Sequence, residues 1–484
     1  MPQLPGSDSI FLAMETDTIH SHIGGVLILD ASDSEGFGVE RVMDVLRERL
    51  PLAPRFTWKL KEVPFGLDRP YWVPDPDFDV ARHVRRVALP SPGGLPELAE
   101  LVGHLHGQKL DRSRPLWEVW FIEGLEDGRS ALLMKTHHCL MDGVAGADLS
   151  RLICDVEPDP EQPARVALQE EGADEGVPAD LEIALRGIAR CMTAPSRLAR
   201  YAGQALLRGG TLLGFLARGE KPQLALPAPR VSFNGSIGPR RAVAWSSVPL
   251  ADVKAVKNEL ARGAFKPTVN DVVLELCGSA LRRYLEMRGE RPDGSLAASC
   301  PVSTREAGEK SGGNGTQANN QLANMVLSLA TDLDDPVERL EQIHRNASRS
   351  KALTRALLST PIAAMGDTLP PAVLGGVWQA LMALPAESAP LPANLVVSNV
   401  QGPPIPLYHA GARVEAMYPI SILATGQGLN ITLVSYSGCV YFGVTVDPDL
   451  VPDPWLLARA LPEALEELRK AVDQRGARAD FDGA

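Results

Sequence analysis

The chain has 484 residues, more than one hydrophobic core usually supports, so its length predicts two domains. Hydrophobic residues make up 45% and charged residues 22%, as in an ordinary folded protein. The net charge is −12, from 60 acidic and 48 basic residues, which excludes the overall basic surface of a nucleic-acid-binding protein. A local basic face that meets a membrane surface remains compatible with this composition.

Cysteine spacing and hydropathy limit the setting of the protein. The six cysteines are far apart and form no C-x-x-C pair, which argues against a zinc ribbon or a disulfide framework and fits a reduced, cytosolic setting. The N-terminal sequence MPQLPGSDSIF lacks a basic region followed by a long apolar core, so we expect no secretory signal. No run of about 18 apolar residues occurs, so we expect any membrane contact to be peripheral.

The pattern of residues 9–150 predicts an α/β unit. Strands are predicted at His20–Leu29, Thr57–Val63, Tyr71–Val73, Pro115–Leu125 and Ala131–His137, and helices at Val39–Leu50, Leu95–Leu110 and Val144–Cys154. Asp127 and Gly128 predict a turn, so the last two strands should form a hairpin. His138 then lies at the end of a central strand, where the functional groups of open sheets often gather.

The middle of the chain changes charge twice. Residues 155–180 hold nine acidic residues, one basic residue and four prolines, a composition typical of a mobile linker. Leu181–Arg218 is basic, with arginines and apolar residues at near-helical spacing, although Pro195 and the Gly209–Gly210 pair are expected to interrupt a helix. This segment suits an anionic bilayer surface; the alternative is a helix packed on the body with its arginines pointing outward.

The second half begins near Arg230 and again alternates strands and helices. Strands are predicted at Ala242–Val248, Ala298–Ser303, Met325–Ala330, Leu395–Asn399, Ile431–Tyr436 and Val440–Val446, and helices at Asp252–Ala261 and Lys266–Met287, with Thr268 as N-cap. The sequence therefore predicts a mixed α/β protein. Its first domain spans residues 1–154, the linker and basic helical segment span 155–229, and the second domain spans 230–484.

Two adjacent histidines, His137 and His138, end the strand that begins at Ala131. Because neighbouring strand residues point to opposite faces, we expect one to face a cleft and the other to be buried. This divergence, with no third ligand nearby, argues against a metal site. A neutral imidazole at a strand end is suited to accept a proton from a hydroxyl near pH 7. The alternative to a histidine base is Cys139 as a nucleophile, although an isolated cysteine more simply serves packing. Asp142 suits a role in fixing the loop.

Several sequence blocks resemble those of a known enzyme family. HHCLMDG (His137–Gly143) is similar to the HHxxxDG signature of the acyl-CoA-dependent acyltransferase superfamily, shared with chloramphenicol acetyltransferase-like enzymes and the condensation domains of peptide synthetases. The other blocks are SIFLAMET (Ser9–Thr16), PLWE (Pro115–Glu118), TVND (Thr268–Asp271), PVSTR (Pro301–Arg305), SNVQGP (Ser398–Pro403) and GLNIT (Gly428–Thr432). Together they resemble the bacterial wax ester synthase/diacylglycerol acyltransferase family over nearly the whole chain.

The resemblance implies two chloramphenicol-acetyltransferase-like domains with an active-site tunnel between them, which acyl-CoA and a lipid acceptor enter from opposite sides. It implies no metal and no cofactor other than acyl-CoA as co-substrate. By resemblance His138 is the general base and His137 its supporting neighbour. Asp142, before Gly143, resembles the structural acid of this loop, and its implied partner is Arg305.

The remaining blocks have both a substrate-positioning and a plain structural interpretation. Their candidate residues are Pro115, Leu116, Trp117, Asn270, Asp271, Ser398, Asn399 and Gly402. The PLW residues suit the wall and core of the first domain, and the two TVND residues suit the capping of a helix. Asn270 and a backbone N–H near His138 or Gly143 are also candidate donors to the oxyanion of the tetrahedral intermediate. The last three residues form a strand-to-turn transition, which the family places near the tunnel.

Two departures from the family pattern concern the acceptor. Gln401 stands where the family commonly has proline, and a polar run over Gly312–Asn324 replaces a short GN-containing block. The sequence predicts an O-acyltransferase that makes triacylglycerol from acyl-CoA and diacylglycerol, with wax ester synthesis from long-chain alcohols as the close alternative. A condensation-type, amide-forming enzyme and a non-catalytic lipid-body protein are more distant alternatives. We expect a cytoplasmic protein associated peripherally with the inner membrane or with lipid bodies.

Overall fold

Two six-stranded sheets dominate the computed structural model, which describes residues 2–143, 153–160, 179–217, 227–263, 265–290, 292–303, 322–357, 366–367, 369–382 and 391–482. The helices are α1 (Gly6–Met14), α2 (Val39–Arg49), α3 (Leu95–His106), α4 (Asp180–Ala217), α5 (Leu250–Leu260), α6 (Val269–Met287), α7 (Pro336–Leu357), α8 (Pro371–Met382) and α9 (Pro454–Asp482). The strands are β1 (His22–Asp30), β2 (Trp58–Lys61), β3 (Tyr71–Pro74), β4 (Val84–Ala88), β5 (Trp117–Glu123), β6 (Ser130–His137), β7 (Ala242–Pro249), β8 (Ala297–Ser303), β9 (Leu322–Ser328), β10 (Leu395–Gln401), β11 (Tyr408–His409), β12 (Ala412–Ile420), β13 (Leu429–Tyr436) and β14 (Cys439–Val446).

The first sheet has the order β11-β12-β1-β6-β5-β4. The predicted hairpin of β5 and β6 is present, with Trp117 opposite Thr136. Strand β6 also pairs with β1, so it is a central strand with a neighbour on each side. All of its residues after Ser130 are buried, because both faces of the sheet are covered. The end of β6 is therefore a rigid support for the histidine pair.

The second sheet has the order β7-β14-β13-β10-β8-β9. Strand β10 runs parallel to both β8 and β13. Helices α6, α7 and α9 pack together beside this sheet. The predicted apolar face of α6 is buried in the second core, and the residues concerned are Val272, Val273, Leu276, Ala280 and Tyr284.

The two halves of the chain interlock through one crossing segment. Strands β11 and β12 belong to the second half of the sequence but complete the first sheet, where Tyr418 pairs with Val26 of β1. The chain therefore passes from β10 in one sheet to β11 in the other. The domain limits near residues 154 and 230 remain a prediction. Residues 408–420 come from the second half of the chain but form two strands of the first sheet.

Helix α4 differs from its prediction. The helix is continuous from Asp180 to Ala217, through Pro195 and the Gly209–Gly210 pair, so the expected interruptions were wrong. Thr193 and Arg197 donate side-chain hydrogen bonds to the Arg190 carbonyl in the turn before the proline. Ile183 is buried against the first domain. The packing of Ile183 and these side-chain donors help to offset the low helix propensity of proline.

Candidate active site

The backbone of the histidine pair is held from both sides. The His137 N–H donates to the Leu116 carbonyl at 2.9 Å, and the His138 N–H donates to the Ser21 carbonyl at 2.8 Å. A 3₁₀ turn, His138–Gly143, follows the strand. Because one amide bonds toward the β5 side and the next toward the β1 side, the two histidines have fixed and different orientations.

His137 is fully buried and neutral. Its Nδ1 accepts a hydrogen bond from the Cys139 N–H at 3.2 Å, which places the ring proton on Nε2. Burial, with smaller contributions from the charges of Arg112 and His138, lowers its pKa to about 3. With its free lone pair already bonded and its ring inside the core, His137 is suited to support and not to proton transfer.

His138 lies at the surface of the same core. Its side chain is half-buried, and its ring stacks on Phe11 of α1 with centroids 3.8 Å apart and an interplanar angle of 14°. Strand geometry predicted this division between a buried and an accessible histidine. The structure assigns the buried position to His137 and the accessible one to His138.

Most other histidines are poorly placed for proton transfer. Of the nine in the sequence, six have a pKa that burial lowers. They are His20 (to about 4), His22, His83, His106, His137 (to about 3) and His409 (to about 4). His344 is bonded to the Asp271 carboxylate at 2.8 Å. His138 differs from these in combining partial exposure with a position at the end of a central strand.

Cys139 does not have the environment of a nucleophile. Its side chain is completely buried, and burial raises the pKa of its thiol well above the ordinary value. A thiol in such surroundings stays protonated, whereas the thiolate is the reactive form. The structure therefore favours the packing role for Cys139.

The predicted loop-fixing pair falls outside the described residues. Gly143 ends the 3₁₀ turn, but the Asp142 side chain and the whole of Arg305 lie beyond the described part of the chain, so their pairing stays a prediction. The same holds for most of the polar run after Gly312. Among the residues that the structure does describe, no group of three or more His, Cys, Asp or Glu side chains is arranged to hold a metal ion.

The PLW residues form part of the first hydrophobic core and support the backbone of the histidine pair. Leu116 and Trp117 are buried, and the Trp117 indole N–H donates to the Phe56 carbonyl at 2.6 Å. The Trp117 ring also stacks on His83, with centroids 4.5 Å apart. Pro115 is buried beside them. The Leu116 carbonyl accepts the hydrogen bond from the His137 N–H and so fixes the backbone of His137.

The two TVND residues separate into different roles. The Asp271 carboxylate accepts hydrogen bonds at 2.8 Å from the Thr268 N–H and from His344, and the Thr268 hydroxyl accepts the Asp271 N–H at 3.2 Å. This is a capping box at the start of α6. Asn270 faces the other way, and its carbonyl oxygen accepts a hydrogen bond from the Asn399 amide at 3.1 Å.

A cavity of about 310 Å³ lies beside this amide pair. Its walls combine apolar side chains with a few polar groups, and the lining residues are Asn270, Val273, Leu274, Cys300, Pro301, Met325, Lys351, Val397 and Asn399. Among the SNVQGP candidates, only Asn399 lines this cavity. Ser398 pairs with Thr432 inside the sheet, and Gly402 passes the Ser435 carbonyl so closely that a Cβ would lie 2.4 Å from its oxygen.

Phe11 and Glu15 were not singled out from the sequence. Both belong to the SIFLAMET block (Ser9–Thr16), whose sequence resembles the family but implies no role for either residue. Glu15 Oε1 lies 3.9 Å from His137 Nε2, and the Glu15 side chain is 5% exposed. The position of this block next to the histidines is set by tertiary packing, so no local pattern reveals it.

The arrangement of sheets identifies the structural class. The first condensation domain of the calcium-dependent antibiotic synthetase shares the fold, with 15% identity, coverage of 96% of this chain and 95% of that domain, and a TM-score of 0.52. The protein therefore has the two-domain, mixed α/β fold of the condensation-domain class. The wax ester synthase/diacylglycerol acyltransferase from Marinobacter aquaeolei VT8 is more similar, with 29% identity, coverage of 98% of this chain and 100% of that chain, and a TM-score of 0.68.

Sequence comparisons define the family. Residues 4–273 match the wax ester synthase/diacylglycerol acyltransferase catalytic domain, and residues 318–469 match the C-terminal domain of the same family. A putative diacylglycerol O-acyltransferase of Mycobacterium tuberculosis is 36% identical, over 98% of this chain and 91% of the relative. The probable diacylglycerol O-acyltransferase tgs1 of the same species is 34% identical, over 99% of each. The chain belongs to the wax ester synthase/diacylglycerol acyltransferase family and is an acyltransferase.

Proposed function

We propose that the protein transfers a long-chain acyl group from CoA to the free hydroxyl of diacylglycerol, which gives triacylglycerol, and that His138 is the general base. The observation that carries the proposal is the position of His138, half-buried at the end of β6, beside a buried and neutral His137. The two mycobacterial relatives, which are named as diacylglycerol O-acyltransferases, support diacylglycerol as the acceptor.

The chemistry follows from this assignment. The His138 imidazole takes the proton of the acceptor hydroxyl, and the oxygen attacks the thioester carbonyl. The carbon–sulfur bond then breaks, and the CoA thiolate leaves and takes up the proton from the imidazolium. Asn270 and a backbone N–H near His138 or Gly143 remain the proposed donors to the oxyanion.

The cavity beside Asn270 has a partly apolar lining, which is consistent with a lipid substrate. Val273, Leu274, Met325 and Val397 supply walls of the kind that an acyl chain fills. We propose that this cavity receives part of one acyl chain, with the Asn270–Asn399 amide pair at its edge.

One assay tests the reaction, the acceptor and the base. Purified full-length protein is mixed with palmitoyl-CoA and either diacylglycerol or hexadecanol, and free thiol and lipid products are measured together. We expect more triacylglycerol than wax ester. His138→Ala should lower the rate by roughly 10²–10⁴-fold, the usual contribution of a general base.

Each outcome has a defined meaning. Absence of acceptor-dependent thiol release from the native protein would contradict the proposed acyl transfer to these acceptors. If wax ester is the dominant product, the preferred acceptor is a long-chain alcohol and not diacylglycerol. A comparable rate from His138→Ala would remove the base assignment.

We also propose a peripheral contact with a lipid surface through α4. Within the described residues, no helix is long and apolar enough to cross a membrane. Leu181, Leu185, Ile188 and Met192 are exposed at spacings of one helical turn, on the face opposite the buried Ile183. Met192 is 79% exposed and Leu181 72%, so this apolar stripe is open to contact.

A further inference from the structure

Helix α1 brings two side chains to the histidine pair, and neither has a role in the reaction described above. We propose that Phe11 and Glu15 are positioning residues of the acyl transfer: Phe11 fixes the His138 ring and shields it from water, and Glu15 orients His137 from the same side. The proposal rests on the proposed role of His138 as the base.

The contact between Phe11 and His138 is a nearly parallel stack. With 3.8 Å between the ring centroids and 14° between the planes, the phenyl ring covers one whole face of the imidazole. A stacked ring resists rotation about its side-chain bonds, so the basic nitrogen keeps one direction. Fixed orientation of a base is a large part of its contribution to rate.

Glu15 lies beside His137, the buried histidine of the pair. Its Oε2 accepts a hydrogen bond from Arg112 Nε at 2.8 Å, and Arg112 also donates to the Leu12 carbonyl at 3.1 Å. Within the described part of the chain, neither the other carboxylate oxygen, Oε1, nor His137 Nε2 has a hydrogen-bond partner, and the two atoms are 3.9 Å apart. This gap is too long for a hydrogen bond, but such contacts often tighten when substrate binds.

The helix that carries both residues is firmly attached. Its first residue, Gly6, donates its N–H to Asp367 at 3.2 Å, and a Cβ on Gly6 would lie 2.4 Å from Asp367. Arg69 forms an ion pair with the same aspartate. Leu12 packs against the first core, and α1 also contacts α8 and the turn that begins at His138. A rigid support of this kind is what a positioning residue requires.

The consequence concerns a competing reaction with water. If water reaches His138, the imidazole takes a water proton, and the hydroxide oxygen attacks the thioester carbonyl. The carbon–sulfur bond breaks, the CoA thiolate takes the proton from the imidazolium, and a free fatty acid forms in place of an ester. An apolar ring over the imidazole excludes water from that face and so favours the lipid hydroxyl.

Phe11→Ala tests this inference. Full-length native and variant proteins are given radiolabelled palmitoyl-CoA and diacylglycerol, and free fatty acid and triacylglycerol are quantified in the same reaction. We expect the ratio of fatty acid to triacylglycerol to rise by roughly tenfold, with a slower transfer, because both orientation and shielding are lost. Phe11→Leu keeps an apolar side chain without a flat ring, so its ratio should lie between the two.

Leu12→Ala is the matched control, because it removes packing of the same helix against the first core and keeps the Phe11 ring. Thermal unfolding of each variant reports whether α1 still folds onto the body. A product ratio that rises in Phe11→Ala but not in equally stable Leu12→Ala supports shielding by Phe11. An unchanged ratio and rate in Phe11→Ala would overturn it. Activity that survives in His138→Ala would instead overturn the base assignment.

Glu15→Gln tests the second contact in the same assay. Glutamine keeps an oxygen for Arg112 but removes the negative charge beside His137. We expect kcat to fall with KM unchanged, because the loss affects the orientation of the histidines and not substrate binding. A raised KM with unchanged kcat would show that Glu15 has no positioning role.

Discussion

At the scale of single residues, burial divides the work between the two histidines. His137 is buried, bonded at Nδ1 and neutral, while His138 is accessible and stacked on Phe11. The alternation of side chains along a strand predicted that the two would differ. Which of them is buried depends on the strands either side of β6, and that information is tertiary.

Cys139 provides a test at this scale. Cys139→Ala should retain close to the native rate of acyl transfer, because the thiol is buried and burial raises its pKa. The substitution keeps the backbone N–H that donates to His137. The free energy of unfolding should fall by roughly 1 kcal/mol from lost packing. Thiol release and urea unfolding measure both quantities, and an inactive but folded variant would restore Cys139 as a candidate nucleophile.

Other residues at the site illustrate what a local pattern can and cannot predict. Thr268 was predicted as a helix cap from its position, and the structure confirms it. The bond between Asn270 and Asn399 joins residues far apart in sequence, as does the stack of Phe11 on His138. Such contacts arise when separate elements pack together, so neither spacing nor propensity reveals them.

At the scale of elements, helix α4 is continuous where the sequence predicted interruptions, and two of its arginines are ion-paired. Arg186 pairs with Glu182, and Arg190 pairs with Asp68, so these arginines already have acidic partners. The apolar stripe from Leu181 to Met192 points away from the body instead. Contact with a lipid surface through this part of α4 would therefore depend on apolar burial more than on charge.

This view predicts a specific effect of substitution. Replacing Leu185 and Ile188 by glutamate should abolish most flotation with vesicles that contain diacylglycerol, because each buried apolar side chain contributes about 1.5–3 kcal/mol. Ala189→Glu, compared with Leu185→Glu alone, adds the same charge to another side of the helix and is the matched control. Added salt should leave native flotation largely unchanged, since screening weakens only charge contacts. Strong salt sensitivity, or equal loss in the control, would contradict the apolar stripe.

Strand pairing shows where prediction from the sequence stopped. The strands β1, β5, β6, β7, β8, β10, β13 and β14 were predicted close to their observed limits. The strands β4, β11 and β12 and the helices α1, α7, α8 and α9 were not predicted. The return of β12 to pair with β1 could not follow from local pattern, since pairing between distant strands is decided by the assembled core.

At the scale of the whole molecule, the buried histidines predict acid sensitivity. Each has a folded-state pKa below the ordinary value of 6.5, so the unfolded chain binds more protons than the folded chain as the pH falls below 6.5. The stability that depends on keeping these histidines buried and neutral is present above pH 6.5. It is lost as the pH falls toward their folded-state pKa values. Five of these residues lie in the first half of the chain, and the sixth, His409, lies on β11, which completes the first sheet.

His409 allows this prediction to be measured at one site. Its Nδ1 donates to the Ile153 carbonyl at 2.7 Å, and burial lowers its pKa from 6.5 to about 4, with Arg49 adding to the decrease and Asp155 opposing it. At full effect, one such histidine removes on the order of 3 kcal/mol of stability between pH 6.5 and 4. His409→Gln keeps an N–H for Ile153 but does not titrate. We therefore expect its unfolding free energy, measured in urea across this pH range, to fall less steeply than that of the native protein. A native slope in His409→Gln would assign the acid sensitivity to other groups.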